Sequence, residues 1–268
     1  MTQLTSRLRR GIDGRLPPLE RERVFGVGAA KTGTHTFGAM FADTVPSLHE
    51  ADAENLIRLH LDRVATGDPT ALHNYLKVRD RRRMLTVDAS QLNIYLLNDL
   101  EALFQGNRYV LTVRHPVRWL RSMIDDSLRR DVSETWMRFR RHRFGDPTGH
   151  PVQQRALAER GLFTLQGYLS YWRDAIERVH ASCPTDRLLV VTTGTLSYNA
   201  AKIARFAGIA SLAAPPPTGR TFANPTRSGV LEQVPERYLV EVVSEACGEW
   251  VERLFPDESI VAAVAELS

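Results

Sequence analysis

Short apolar runs alternate along the chain with longer segments in which apolar residues recur at helical spacing. The runs have the length of buried strands. They fall at 24–28, 47–50, 84–88, 108–113 and 187–193. The segments with helical spacing fall between and after them, at 54–65, 91–104, 116–130 and 162–179. Because parallel strands need a crossover helix between them, the pattern predicts an α/β fold, with a parallel central sheet flanked by helices.

The length of the chain suits one large domain. It has 268 residues, of which 43% are hydrophobic and 25% charged, enough to form a single core. The first 23 residues are charged and contain no apolar run of signal-peptide length. We therefore expect a mobile or loosely docked arm over residues 1–23 and a single domain over residues 24–268, without a membrane span.

Charge and cysteine content narrow the classes of function. The 35 Lys+Arg against 31 Asp+Glu give a formal charge of +4, which suits an anionic ligand and does not require nucleic acid. Cys183 and Cys247 are too few for a disulfide framework and have no metal-ligand spacing. We therefore expect a cytoplasmic monomer or homodimer without a metal site or a nucleic-acid partner.

A glycine-rich turn follows the first predicted strand and has the sequence GVGAAKTGTHTF at 26–37. A strand, a glycine turn and a helix N-terminus together surround an anion with backbone N–H groups, and Lys31 adds a full positive charge. Nucleoside-triphosphate loops have the order GxxxxGK[ST], whereas Ala30 precedes Lys31 here and the glycine follows at Gly33. The turn predicts an anion-binding loop, although packing alone also requires small residues at such a turn.

A second junction between a predicted strand and a helix has the sequence VLTVRHPVRWLRSMI at 110–124. It carries Arg114 at the end of the strand and Ser122 eight positions later. Because the turn between them folds the helix back, the two side chains can converge on one phosphate. The alternative is an arginine that caps the sheet edge and a serine that faces solvent.

The two motifs, in this order, resemble those of the sulfotransferase family that uses 3′-phosphoadenosine 5′-phosphosulfate (PAPS). In that family a Lys-Ser/Thr-Gly-Thr loop follows a strand, and a later strand-borne Arg and helix-borne Ser bind the 3′-phosphate. The resemblance extends from Val24 to about Gly229. It implies a P-loop NTPase-like architecture and metal-independent transfer of a sulfuryl group to a hydroxyl, which leaves 3′-phosphoadenosine 5′-phosphate (PAP).

The resemblance also implies a set of PAPS-binding residues, in which Lys31 stabilises the leaving phosphate. The set comprises Lys31, Thr32, Gly33, Thr34, His35, Thr36, Arg114, Ser122, Arg227 and Gly229. The last two belong to NPTRSG at 224–229, which is similar to the family's terminal loop. The chain departs from the family at 193–194, where a Glu-Asp pair is common, and at His35, whose position is usually a threonine.

The catalytic base is expected after the second predicted strand, in SLHEAD at 47–52. Ligand sites in open α/β sheets gather at this edge, and carbohydrate-type sulfotransferases carry a base glutamate here. Glu50 is therefore favoured over His49, and because neighbouring strand residues point to opposite faces, only one of the two should face the site. Glu50 can instead cap the next helix. His35 is a third catalytic candidate, as a hydrogen-bond donor to the sulfuryl oxygens.

Two other functions stay open. The predicted strand that ends at Asp88 can support magnesium in a P-loop kinase, although no glycine directly precedes Lys31. The arginine-rich stretch at 129–144 can bind a polyanion, or an anionic or aromatic acceptor; a solvated helix face is the favoured interpretation. Nothing in the sequence distinguishes a sugar, a phenol and a small natural product as the acceptor.

Overall fold

The computed structural model describes residues 19–209 and 227–267. Within them, five strands form one sheet in the order β2-β3-β1-β4-β5, and every neighbouring pair is parallel. The strands are β1 (Val24–Gly26), β2 (Ser47–His49), β3 (Val87–Ala89), β4 (Arg108–Val113) and β5 (Leu188–Thr192). Each overlaps the apolar run that predicted it, and the predicted α/β fold is confirmed.

Helices cover both faces of the sheet. Those before β4 are α1 (Thr34–Met40), α2 (Ala53–Thr66), α3 (Thr70–Arg83) and α4 (Leu97–Leu103). Those after it are α5 (Pro116–Arg129), α6 (Glu134–Phe144), α7 (Arg155–Ala158), α8 (Leu165–Ser182), α9 (Ala200–Phe206), α10 (Glu236–Leu254) and α11 (Ile260–Ala265). The helix predicted at 91–104 begins instead as a 3₁₀-helix, Gln91–Tyr95, because the Ser90 hydroxyl accepts from the Leu92 amide and closes a tight first turn.

Alternation along the strands divides the core between the two faces of the sheet. Val24 and Val110 pack on one side with Phe37 of α1. Phe25 and Leu111 pack on the other side in a larger cluster that includes α5, α8 and α10. Both inner faces of the sheet are therefore covered, as expected for parallel strands.

The chain order of the strands creates a switch point beside β1. From β1 the chain passes to β2 and β3 on one side, and from β4 it passes to β5 on the other. The carboxyl ends of β1 and β4 therefore border a crevice, which is where open α/β sheets bind ligands. The predicted anion-binding loop and Arg114 follow these two strand ends.

Part of the predicted N-terminal arm is anchored to the domain. Arg23 is 3% exposed, and its Nη2 lies 2.8 Å from Asp80 Oδ2. Arg21 also bonds Asp80 and the Leu85 carbonyl. Residues 1–18 of the predicted arm lie outside the described residues. Among the described helices, none combines the length and apolar character needed to cross a bilayer.

Candidate active site

The loop after β1 fits so closely against its neighbours that two of its positions require glycine. A Cβ added to Gly28 would lie 2.0 Å from Thr112 Oγ1. Gly33 has a φ of +105° and precedes α1 without a side-chain cap, and a Cβ there would lie 2.7 Å from Leu196 Cδ1. Because an uncapped helix start leaves its first amides unsatisfied, the loop and the first turn of α1 form a cradle suited to an anion.

Two of the loop hydroxyls hold the loop itself. Thr32 Oγ1 donates to the Ala29 carbonyl at 2.7 Å and accepts from Thr112 Oγ1 at 2.9 Å. Thr34 Oγ1 lies 3.1 Å from His49 Nε2. The Thr32 amide also donates to the Ala29 carbonyl, at 3.3 Å, so Thr32 closes the turn, whereas Thr34 can offer a ligand its backbone amide. Thr36 lies in the first turn of α1 and is partly buried.

Side chains from three other segments fix the backbone of the same loop. Tyr171 Oη of α8 accepts from the Ala30 amide at 3.1 Å, and Trp119 Nε1 of α5 donates to the Ala30 carbonyl at 2.6 Å. Thr193, after β5, donates to the Thr32 carbonyl. These anchors were not predicted from the sequence. Thr193 stands where the chain departs from the sulfotransferase pattern, and that departure is the one signal that marked it.

Helix α5 contacts both the lysine loop and the terminal loop. Lys31 Nζ lies 3.1 Å from Asp126 Oδ1, and Asp126 is one helical turn after Ser122 on the same face. Asp125 Oδ1 accepts from the Ser228 amide at 3.0 Å and from its hydroxyl at 2.6 Å. Ser228 lies between Arg227, which is exposed, and Gly229, whose φ of +67° favours glycine. Residues 224–226 of the predicted terminal loop lie outside the described residues.

The second predicted motif lies at the same end of the sheet. Arg114 directly follows β4 and is partly buried, and its carbonyl accepts from Trp172 Nε1 at 2.9 Å. Ser122 is partly buried on α5. Helix α5 thus carries Ser122 and contacts the loops of Lys31 and Gly229. The two aspartates that make these contacts, Asp125 and Asp126, were not predicted from the sequence.

His49 and Glu50 lie together, so the expectation that only one of them faces this region is wrong. Glu50 follows β2 with a φ of +51°, which takes it out of strand geometry and brings its Oε1 to 3.9 Å from His49 Nε2. The exposed His35 ring lies against the His49 ring, with centroids 4.7 Å apart. Burial lowers the pKa of His49; the charge of Glu50 opposes this, while that of His35 adds to it.

A hydrogen-bond chain connects Glu50 to helix α6. Gln91 Nε2 donates to Glu50 Oε1 at 2.5 Å, and Gln91 Oε1 accepts from Arg143. The Arg143 guanidinium lies over the rings of Phe139 and Phe144, 4.6 and 4.7 Å from their centroids. Gln91 was not predicted from the sequence. It lies two residues after the end of β3, and residues that follow strand ends line such a crevice.

The favoured interpretation of the arginine-rich stretch as a solvated face is correct for only part of it. Arg138 and Arg141 are exposed. Arg140 is 7% exposed, and Arg143 lies among aromatic rings. Helix α6 therefore turns two of its arginines inward.

Asp88 does not take the position that a magnesium-binding aspartate requires. It lies inside β3, 4% exposed, and both terminal nitrogens of Arg79 bond its carboxylate. Its charge is thus neutralised within the protein, and the kinase alternative is not favoured.

Comparisons with known proteins agree with this architecture. No protein-family model matches the chain, and no curated protein does. A sulfotransferase from Alicyclobacillus acidocaldarius superposes with a TM-score of 0.54 and 13% identity, over 92% of this chain and 100% of that one. A sulfotransferase domain of the Synechococcus PCC 7002 olefin synthase covers 94% of both chains, with a TM-score of 0.40 and 15% identity. One from the curacin biosynthetic pathway covers 94% of this chain and 97% of its own, with a TM-score of 0.41 and 12% identity.

The likeness to the Alicyclobacillus structure shows the fold. The chain has the sulfotransferase fold, and the resemblance seen in the sequence is confirmed at the level of the fold.

Proposed function

We propose that the protein is a PAPS-dependent sulfotransferase that transfers a sulfuryl group to a hydroxyl of a sugar, a phenol or a small natural product. The observation that supports this most is the convergence on α5. The loop of Lys31 and the loop of Gly229 both contact this helix beside Ser122, in a chain with the sulfotransferase fold.

The residues present fit an anionic nucleotide. Gly28 and Gly33 let the loop pack directly against Thr112 and Leu196, and the start of α1 has no side-chain cap. When bound, PAPS supplies an activated sulfuryl group on a phosphate leaving group. In this proposal residues 32–36 hold the 5′-phosphate. The amides of Gly33, Thr34, His35 and Thr36 donate to it, and Thr32, which bonds the Ala29 carbonyl, fixes the turn beside it. The 3′-phosphate is held by Arg114, Ser122, Arg227 and Gly229.

In this proposal Lys31 stabilises the leaving group and Glu50 is the catalytic base. Lys31 exchanges Asp126 for the leaving phosphate and stabilises the negative charge that develops there. Glu50 takes the proton of the acceptor hydroxyl on Oε2, because Gln91 occupies Oε1. His49 and His35 lie next to Glu50 and are the alternatives for proton transfer and for contact with the sulfuryl oxygens.

The proposal is tested by titrating the purified protein with PAP in a calorimeter, and by measuring transfer from labelled PAPS to a panel of hydroxyl acceptors in the presence of a chelator. We expect saturable PAP binding and transfer without added metal. Absence of PAP binding would refute the proposal, and magnesium-dependent phosphotransfer from ATP would replace it with the kinase.

A further inference from the structure

Arg140 of α6 is a largely buried cation that has no counter-charge among the described residues. Its side chain is 7% exposed, and it makes no hydrogen bond or ion pair within residues 19–209 and 227–267. Outside the described residues, Asp13 is the single Asp or Glu of the sequence. A charge that is largely removed from water and has no ionic partner is unfavourable, and a bound anion would reduce this cost.

Another unsatisfied donor lies near Arg140. Arg143, one helical turn later, has a buried Nε without a hydrogen-bond partner among the described residues. Burial lowers the pKa of Arg140, and the charge of Arg143 acts in the same direction. Asp126 opposes these effects, but Lys31, Arg129 and Arg130 already share that carboxylate.

This group of donors borders the proposed active site on the side of the base. The Arg143 guanidinium lies 5.3 Å from the centroid of the Tyr171 ring, and Tyr171 Oη accepts from the Ala30 amide of the lysine loop. Through Gln91, the same guanidinium is connected to Glu50. An anion bound by Arg140 and Arg143 would therefore lie near the carboxylate that is proposed to receive the acceptor's proton.

We propose that Arg140 and Arg143 bind an acidic group of the acceptor, so that the natural acceptor is a hydroxylated acid with a carboxylate, sulfate or phosphate. This inference rests on the proposed sulfotransferase function. Guanidinium groups bind such anions through paired N–H donors. The acidic group is assigned to the acceptor and not to PAPS, because Lys31, Arg114, Ser122 and Arg227 already account for the phosphates of PAPS. The rings of Phe139 and Phe144 hold the Arg143 guanidinium in place.

The first test uses inorganic sulfate as the probe, with PAP saturating the nucleotide site. We expect sulfate to raise the melting temperature of the wild type by about 2 °C or more beyond chloride at equal ionic strength. The extra shift should vanish in Arg140→Met and persist in Arg141→Met, an exposed arginine of the same helix. Without sulfate, Arg140→Met should melt above the wild type, because the buried charge is gone.

Two results of this test would overturn the inference. One is an equal sulfate shift in Arg140→Met and the wild type, and the other is a lower melting temperature of Arg140→Met without sulfate, as for a structural arginine. Failure of the protein to bind PAP would count only against the proposed function, because the sulfate comparison can be made without PAP.

The second test compares acids with neutral counterparts for binding to the PAP-saturated protein by calorimetry. The pairs are 4-hydroxyphenylacetate and its methyl ester, a glucuronide and its methyl ester, and glucose 6-phosphate and glucose. We expect the acid to bind at least about tenfold more tightly in one or more pairs, and this preference to disappear in Arg140→Met. No difference in any pair, or a preference that survives Arg140→Met, would contradict the inference. The pair with the largest difference indicates which acidic group is recognised.

Discussion

The two sides of the crevice hold their cations in different ways. On the phosphate side, defined as residues 27–36, α5 and residues 227–229, Lys31 pairs with Asp126 at 3.1 Å. On the base side, defined as Glu50, Gln91 and α6, Arg140 is largely buried and forms no ion pair within the part of the chain that the structure describes. A ligand must displace a carboxylate from Lys31, whereas it would give Arg140 its first ionic partner. Among the described residues, the charge of Lys31 is thus paired, whereas that of Arg140 is not.

The sharpest test of the phosphate side is Lys31→Ala. If Lys31 stabilises charge on the leaving phosphate, the substitution should lower kcat/KM by about 10²- to 10³-fold. Lys202→Ala is the matched control, because Lys202 is exposed on α9 and should leave the rate unchanged. Initial rates with labelled PAPS measure both variants. Equal activity of the two variants would remove Lys31 from the mechanism.

On the base side, Glu50→Gln keeps a hydrogen-bond acceptor for Gln91 and removes the basic carboxylate. We expect kcat to fall about 10²-fold with PAP affinity unchanged, and Asp43→Asn, an exposed carboxylate, to have no effect. Single-turnover rates and PAP calorimetry provide the two readouts. If His49→Gln abolished activity while Glu50→Gln retained it, His49 would be the base.

Most of the phosphate side could be predicted from the sequence, because its chemistry lies in contiguous motifs at strand ends. The apolar runs predicted the strands, and the glycine at position 33 indicated a backbone position with a positive φ. The pairing of His49 with Glu50 could not be foreseen, because Glu50 adopts a positive φ that is uncommon for residues other than glycine and Asn or Asp. Asp126 was missed because its partner, Lys31, is distant in sequence.

The base side was harder to predict, because tertiary packing decides which arginines of α6 turn inward. A signal was nevertheless present in the spacing. Arg140, Arg143 and Phe144 share one helical face, and Phe144 is buried. Because the stretch is rich in arginine, it was interpreted as a solvated surface. The helical face that Arg140, Arg143 and Phe144 share was therefore not recognised.

Two histidines contribute to the packing of α6 on α2. His60 Nε2 lies 3.2 Å from His142 Nε2, and Arg63 Nη2 lies 3.1 Å from His60 Nδ1. Because a guanidinium only donates, Nδ1 accepts this bond and the His60 proton lies on Nε2. Burial lowers the pKa of His60 to about 3, and the charges of Arg63, His142 and Arg178 act in the same direction.

This pair makes the base side sensitive to acid. The unfolded chain protonates His60 below about pH 6.5, whereas the folded chain does so only near pH 3. The unfolded state therefore binds more protons in between, and the free energy of unfolding should fall by up to about 1.4 kcal/mol per pH unit as the pH drops below 6.5. His60→Phe should reduce this slope, measured by urea unfolding at about pH 7.5 and about pH 5.5.

The slope is the readout, rather than the absolute stability, because His60→Phe also removes hydrogen bonds to Arg63 and His142. Titrating groups that do not contact His60 are common to both proteins and cancel in the difference between the two slopes, which therefore reports His60 together with its partner His142. Identical slopes would mean that the fold tolerates a charged His60.

The smallest expected effect tests the pairing that distinguishes the two sides. Asp126→Asn keeps the shape of the side chain and removes the charge that a phosphate must displace from Lys31. PAP should then bind about 3- to 10-fold more tightly, equivalent to roughly 1 kcal/mol. Asp131→Asn, an exposed carboxylate just beyond α5, should leave the Kd unchanged. Weaker binding by Asp126→Asn would instead mean that Asp126 holds Lys31 in its binding position, so that the ion pair prepares the site and does not compete with the ligand.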